Sequence, residues 1–343
     1  MTQSEEIRIG ERLKFYRQGR KKTQAAVAGL AGVSEDYLSQ IERGLKTPTI
    51  GLLHKFARIL GVQVSVLLGE PEFEQDGVIH PVASELNRVM MTYGNPATGD
   101  AIDLGELRNR VDTAWQIWQT STKRYSEGVD VFPSLVVDVQ TAARSFRAPG
   151  EAEARREAAR IASDMYFLLR TFAKRIGRTD LSLLAADRGI AAAYEADDPL
   201  RIAAAHWNLG HIQIAQNEAE AAEETVMRAI EELRPRLDDG SEWVAMHGAL
   251  WLVAAVASVR QGDAWTARDR LRQKALPAAR SAGEGNVMWT VFGPTNVDLH
   301  AMSVEMECGE SAEGLSIADQ IDVTNSPSLE RQTTFYLELA RLN

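Results

Sequence analysis

Thr23-Gln24-Ala25-Ala26-Val27-Ala28-Gly29-Leu30-Ala31-Gly32-Val33-Ser34, running on as Glu35-Asp36-Tyr37-Leu38-Ser39-Gln40-Ile41-Glu42-Arg43-Gly44, reads as two short helices joined by a sharp corner. Thr23 can cap the first helix by accepting from an N–H that the helix start leaves free. Val27 and Leu30 are expected to face inward, and Ala28 is small where a second helix must cross closely. Gly32 supplies the left-handed backbone that a tight corner between helices needs. Ser34 caps the next helix, Leu38 and Ile41 return to the core three residues apart, and Gly44 stops it. Glu35, Asp36, Tyr37, Ser39, Gln40 and Arg43 are then left on the outer face.

The pattern extends both ways from this pair. Upstream, Ile9, Leu13 and Tyr16 share one face of an earlier helix, and Arg17 to Lys22 reads as a turn. Downstream come Lys46-Thr47-Pro48-Thr49, then Leu53, Phe56, Ala57, Leu60-Gly61-Val62 and Leu67. In order and spacing, residues 7–69 resemble the XRE (Cro and phage-repressor-like) helix-turn-helix family. The resemblance implies a five-helix, lambda-repressor-like DNA-binding domain over residues 1–70, whose recognition helix, Ser34 to Arg43, lies in the major groove. Glu35, Asp36, Tyr37, Ser39 and Gln40 are the base readers by position, behind Ser34 at the helix start. Gln40 can pair bidentately with adenine, and a carboxylate at Glu35 or Asp36 can accept from the cytosine amino group or simply favour the helix dipole. Lys22, Gln24, Arg43 and Lys46 would hold phosphates and set register. So small a head makes few base contacts, which implies a homodimer on double-stranded DNA, at a palindromic operator with half-sites about one helical turn apart.

Charge divides along the same line. The 343-residue chain carries a net charge of −10, yet residues 1–70 hold eleven Lys/Arg against seven Asp/Glu. That is +4 for the head, leaving −14 for the rest. A basic head can dock on phosphates, while an acidic body limits non-specific adhesion to DNA.

Residues 71–100 read as a linker with a short helix opened by Pro81, interrupted by Gly94, Pro96 and Gly99. From Ala101 the composition is rich in Ala, Leu, Glu and Arg, with helical spacing and no alternating strand pattern, so the whole chain is expected to be all-α. Helices are predicted at 102–119, 129–147, 151–176, 180–196, 199–216, 218–235, 241–261, 263–282, 294–308, 310–321 and 327–342. Turns recur at Asp180, Asn217, Gly262 and Gly309, wider apart than the ~34-residue tetratricopeptide period. His206-Trp207-Asn208-Leu209-Gly210 with Asn217, Ala222, Ala229 and Pro235 resembles one such repeat. Residues 101–343 therefore resemble a TPR-like helix-pair solenoid, the sensor or dimerisation body that a large group of XRE-type bacterial regulators carries behind its head. Some relatives of this architecture sense secreted peptides, so the resemblance implies a ligand such as a peptide or small molecule. A body that serves only as a dimerisation or protein-docking scaffold is the alternative reading.

The first helix of each pair lines the concave side of a solenoid, which puts Trp207, Asn208, His211, Arg260 and Asn296 forward as candidate ligand contacts. An amide can both donate and accept, and tryptophan supplies apolar area. The histidines are scattered without metal-ligand spacing, so neither a metal nor a cofactor is expected. There is no Walker loop, no dinucleotide-binding glycine fingerprint and no nucleophile elbow, and Cys308 has no adjacent basic activator, so catalysis is not expected. One cysteine, an acidic polar start and no long apolar run point to a reducing, cytoplasmic setting without a membrane span. The apolar last helix, with Leu329, Phe335, Tyr336, Leu337, Leu339 and Leu342, has no helix after it. It is expected to pack on a second copy, or the native chain continues past Asn343.

Overall fold

A computed structural model describes residues 9–60, 67, 81–92, 102–146, 148 and 150–342. Every regular element among the described residues is helical. Two compact units are present, residues 1–79 and 80–343. The first contains α1 (Ile9–Gly19), α2 (Gln24–Ala31), α3 (Glu35–Glu42) and α4 (Ile50–Leu60). The fifth helix expected of the head falls outside the described residues, apart from Leu67, which is helical and fully buried.

The caps form as the sequence dictates. Thr23 accepts from the Ala26 N–H at 3.1 Å, and Ser34 accepts from the Tyr37 N–H at 3.1 Å. Gly32 adopts φ 75°, so the Val33 N–H can reach back to the Ala28 carbonyl at 3.0 Å and close α2. The head core is Leu13, Val27, Ala28, Ala31, Leu38, Ile41, Leu53, Phe56, Ala57 and Leu60 with Leu67. Leu30 departs from expectation, being 66% exposed. The buried stripe of α2 is Val27, Ala28 and Ala31, whose centre at 100° per residue lies about a quarter-turn from position 30. An alanine-lined stripe lets α3 cross closely, at the cost of turning Leu30 to the surface.

The second unit begins with α5 (Pro81–Met91). Its Val82, Leu86, Val89 and Met90 belong to the same core as the repeat helices, so α5 is part of the body rather than of a linker. Helix pairs follow: α6 (Leu104–Thr120) with α7 (Arg124–Ser145), α8 (Ala152–Arg175) with α9 (Thr179–Glu195), and α10 (Pro199–Ala215) with α11 (Ala219–Leu233). α12 (Ser241–Arg260) pairs with α13 (Ala264–Asp269) and α14 (Leu276–Ala282), which are joined by a π-helical stretch ahead of Pro277. α15 (Pro294–Glu307) pairs with α16 (Ser311–Ala318), and α17 (Leu329–Leu342) closes the chain. Asn217, Gly262 and Gly309 take the positive φ that the turns within pairs require.

α12 is long and apolar enough to cross a membrane by length and composition, but 61% of its apolar window is buried within the body, where it serves as a core helix. α17 contacts α16, α15 and α6, so the last helix returns to the first full helix of the repeats. Phe335 is buried in its own chain with Leu299 and Met302, and Leu339 packs beside them. The expectation that this helix needs a second copy to cover it fails for Phe335, because α15 and α16 supply the cover. Tyr336 and Leu337, by contrast, are 58% and 60% exposed.

Candidate nucleic-acid interface and body cavity

α3 presents Glu35 and Asp36 fully outward, with Ser39 and Gln40 half-buried beside them. Gln40 is not loose, because its Nε2 donates to Asp36 Oδ2 at 2.6 Å. That bond leaves the second Nε2 hydrogen and the Oε1 acceptor for a base edge. It also gives Asp36 a role apart from base reading. Glu35 and Asp36 both sit in the first turn of α3, where the helix dipole favours negative charge. Tyr37 is half-buried against the core with the Lys46 ammonium 4.9 Å from its ring centre, which fixes a cation at the rim of the face. Arg43 is exposed at the end of α3 and bonds to the Ser39 carbonyl.

Gln24 has a different partner from the phosphate expected of it. Its Nε2 donates to Glu42 Oε2 at 2.7 Å. Glu42 is 4% exposed and also accepts Arg17 at 2.6 and 2.9 Å, while Arg17 donates on to the Lys22 carbonyl at 2.8 Å. One buried carboxylate thus joins α1, the turn carrying Lys22, the first residue of α2 and the last of α3. The hydrogen bond to Glu42 raises the Arg17 guanidinium above its ordinary value. Arg17 had read as a turn residue, and its pairing was not legible because the two partners lie 25 residues apart.

The body holds a cavity of about 160 Å³ lined by α6, α8, α10, the loop before α15 and the start of α17. Trp115 and Gln119, Arg170 and Lys174, and Trp207 and His211 are i, i+4 pairs on three first helices, so each helix turns one stripe toward it. Trp207 and His211 are in this lining, as expected from register. Asn208 is 2% exposed behind it and accepts from Arg170. Arg260 and Asn296 are not in the lining. Arg260 ends α12 and pairs with Glu307 at 2.8 Å, while Asn296 is 2% exposed in the first turn of α15. Gly293 occupies the cap position of that helix, and Glu284 accepts from the Thr295 N–H.

Sequence reasoning missed the cations. Arg170, Lys174, Arg175 and Arg331 face one carboxylate, Glu330, which pairs with Arg175. Burial, partly offset by Glu330, lowers Arg170 to about 10. Burial with the nearby Arg170 and Arg175 lowers Lys174 to about 8, although its side chain opens into the cavity. Burial likewise holds His211 well below its ordinary value, and Lys174 adds to the effect. The available signal was Arg170-Thr171-Phe172-Ala173-Lys174, two cations one helical turn apart beside apolar residues.

The fourth wall is a strained loop. Met288, Trp289 and Val291 have φ of 48°, 61° and 53°, the left-handed region that side chains rarely adopt. Gln119 holds this loop by donating to the Trp289 carbonyl at 3.2 Å and accepting from Asn286 at 2.6 Å, and Trp289 stacks on Trp115 with ring centres 5.1 Å apart.

Lys174 gives a stability prediction. The folded chain holds fewer protons on this residue than the unfolded chain between its value of about 8 and the ordinary 10.5, so stability should rise with pH across that window. Lys174→Met should raise the Tm of the empty protein at pH 7 by ~2–4 °C, the effect of roughly 1 kcal/mol in a unit of this size. A lower Tm by calorimetry would mean that the cluster is not under charge stress.

A family model described as a helix-turn-helix domain matches residues 8–67. The chain is 37% identical over 117 residues to the HTH-type transcriptional regulator SinR of Bacillus subtilis, covering 97% of that protein and 34% of this one. It is 42% identical over 62 residues to an immunity repressor protein of Bacillus phage phi105, covering 43% of that protein and 18% of this one. Among solved structures, Bacillus thuringiensis PlcR in complex with the peptide PapR7 and DNA is similar over 98% of this chain and 96% of that one, at 12% identity and a TM-score of 0.39. The apo form of the competence regulator ComR from Streptococcus vestibularis is similar over 90% of this chain and 98% of that one, at 14% identity and a TM-score of 0.28. Likenesses this loose carry no argument about what the body binds.

Proposed function

Because the chain belongs to the XRE-like helix-turn-helix transcriptional regulators, which bind DNA, we propose that α3 reads a palindromic operator as part of a homodimer and that the body adjusts this binding according to what fills its cavity. The observation that carries the head's role is the outward row of α3, with Gln40 pre-oriented by Asp36. Ser34, Glu35, Asp36, Tyr37, Ser39 and Gln40 meet the groove, and Lys22, Arg43 and Lys46 hold phosphates. Gln24 acts through Glu42, bracing α2 against α3. Such a protein works where the DNA is, which places it in the cytoplasm.

Two variants separate reading from holding. Gln40→Ala should weaken cognate binding by roughly 1–3 kcal/mol and leave random-sequence affinity nearly unchanged. Lys46→Ala should weaken both alike and make the slope of log K against log salt shallower by about one unit. A salt titration of both proteins on both duplexes decides. Equal losses on cognate and random DNA for Gln40→Ala would remove it from the base readers.

Light scattering on the full chain should give a dimer, since one small head supplies too little specific affinity and exposed Tyr336 and Leu337 offer an apolar pairing surface. The same pair of residues favours the second reading, in which the repeats are only a dimerisation scaffold. A monomer at micromolar concentration that stays monomeric on operator DNA would contradict both.

A further inference from the structure

We propose that the body cavity takes an anion carried on a flat apolar frame, with a carboxylate or similar oxyanion among Arg170, Lys174 and Arg331 and a ring lying against the tryptophan wall. This rests on the sensing reading above and names the chemistry of its ligand. Among the described residues, none of these three cations makes an ion pair within 4 Å, whereas in the neighbouring cluster Arg108 and Arg201 both pair with Asp164, at 2.5 and 2.9 Å. Arg170 is buried, Arg331 half-buried and Lys174 exposed to the cavity's opening; cations held this close repel one another and the buried ones lose hydration, so the cluster is stabilised by an acceptor of opposite charge. Two buried donors in the lining, Arg170 Nε and Trp118 Nε1, have no hydrogen-bond acceptor. Buried donors are ordinarily satisfied, so these two side chains share the shortage of acceptors that the cations beside them show.

The apolar half follows from the opposite wall. Trp115 and Trp289 are stacked with their planes 3° apart, and Trp207 lies with the Arg170 guanidinium 5.8 Å from its ring centre. The stacked pair fills the space between its own rings and turns a flat apolar side to the cavity, which suits contact with a planar group. The loop carrying Trp289 holds three side-chain-bearing residues at positive φ, and strain of this kind persists at ligand clamps where the surroundings impose it. The chemistry can come from a small aromatic acid or from the free C-terminus of a short peptide ending in an aromatic residue.

The experiment uses the full chain and titrates 2-naphthoate, its neutral analogue 2-naphthamide, N-acetyl-Gly-Gly-Phe and the amide of that peptide, read by calorimetry. Indole fluorescence gives a second reading for the naphthyl pair. At least one acid should bind, about tenfold or more tighter than its own amide. Tight naphthoate identifies a small acid as the source, and tight peptide acid identifies a C-terminus. Lys174→Met, checked for an intact Tm, should weaken the acid about tenfold and leave the amide unchanged.

The pH profile adds a signature that mere packing would not produce. Lys174 is faced by Arg170 and Arg175 on its own helix, His211 on α10, and Glu330 and Arg331 on α17. Lys174, lowered to about 8, loses its proton before Arg170, lowered to about 10, so acid affinity should fall as pH rises from 7 to 9. Equal affinity for acid and amide, no binding of any probe, or an unchanged acid affinity in Lys174→Met overturns the proposal. DNA binding by the same preparation is scored separately. Probes ignored by a chain that binds its operator refute the anion site alone, and a chain that binds no duplex at low salt refutes the regulator reading.

Discussion

Arg17→Met should cost the head about 3–5 kcal/mol, because it leaves the Glu42 carboxylate buried with only the Gln24 amide for company. A unit of this size has little more stability than that to lose. Most of the head should therefore unfold at 37 °C, with operator binding lost and the body's helical signal retained. The cost comes from stranding a charge rather than from the pair's own attraction, so removing both partners should recover much of it. Arg17→Met with Glu42→Leu is expected to refold the head to within about 1–2 kcal/mol of the parent. The double variant would still bind DNA less well, since Gln24 loses its anchor and α2 its brace to α3. Urea unfolding of the three proteins, followed by a probe in the head, measures this. A single variant as stable as the parent would show that Glu42 does not depend on Arg17.

The second large effect comes from Gly10. A Cβ built there would lie 1.9 Å from the Ile41 carbonyl oxygen and 2.9 Å from its carbon, both backbone atoms of α3. A flexible side chain could swing aside, but a helix backbone cannot, so Gly10→Ala must push α1 and α3 apart. The stability loss should be about 3 kcal/mol, at the upper end of ordinary overpacking. The loss of specificity should be larger. A recognition helix displaced by about an ångström misaligns every base contact at once, and cognate affinity should fall by a factor of roughly 10³, toward the non-specific level. Random-sequence affinity should change far less, because phosphate contacts depend on the general charge of the surface. Binding isotherms on the two duplexes measure it, and an unaltered cognate-to-random ratio would show that α1 does not set the position of α3.

The head was legible because its information is local. Thr23, Gly32 and Ser34 each act within three or four residues of themselves, so caps and corner could be read directly from the chain. Leu30 was misread because an eight-residue helix gives too few turns to fix the centre of its apolar stripe. Arg17 and Glu42 were missed because nothing in either neighbourhood marks a pair made across three elements. In the body, helix positions followed from composition, and Trp207 and His211 followed from register within a repeat. Arg260 and Asn296 did not follow, since the same register drifts in lengthened repeats and its error grows along the chain. Of the cavity's charge, only the spacing of Arg170 and Lys174 was visible in the sequence. The rest arises where α17 returns to α6 and α8, bringing Arg331 beside Arg170 across more than half of the body.

Selection from a pool of random duplexes tests the central claim most directly, with the full chain and Gln40→Ala run side by side. The parent should enrich a short inverted repeat with half-sites centred about one helical turn apart, and Gln40→Ala should relax one base in each half-site while keeping the spacing. No enriched motif from a folded, duplex-binding parent would contradict it, as would an identical motif from Gln40→Ala.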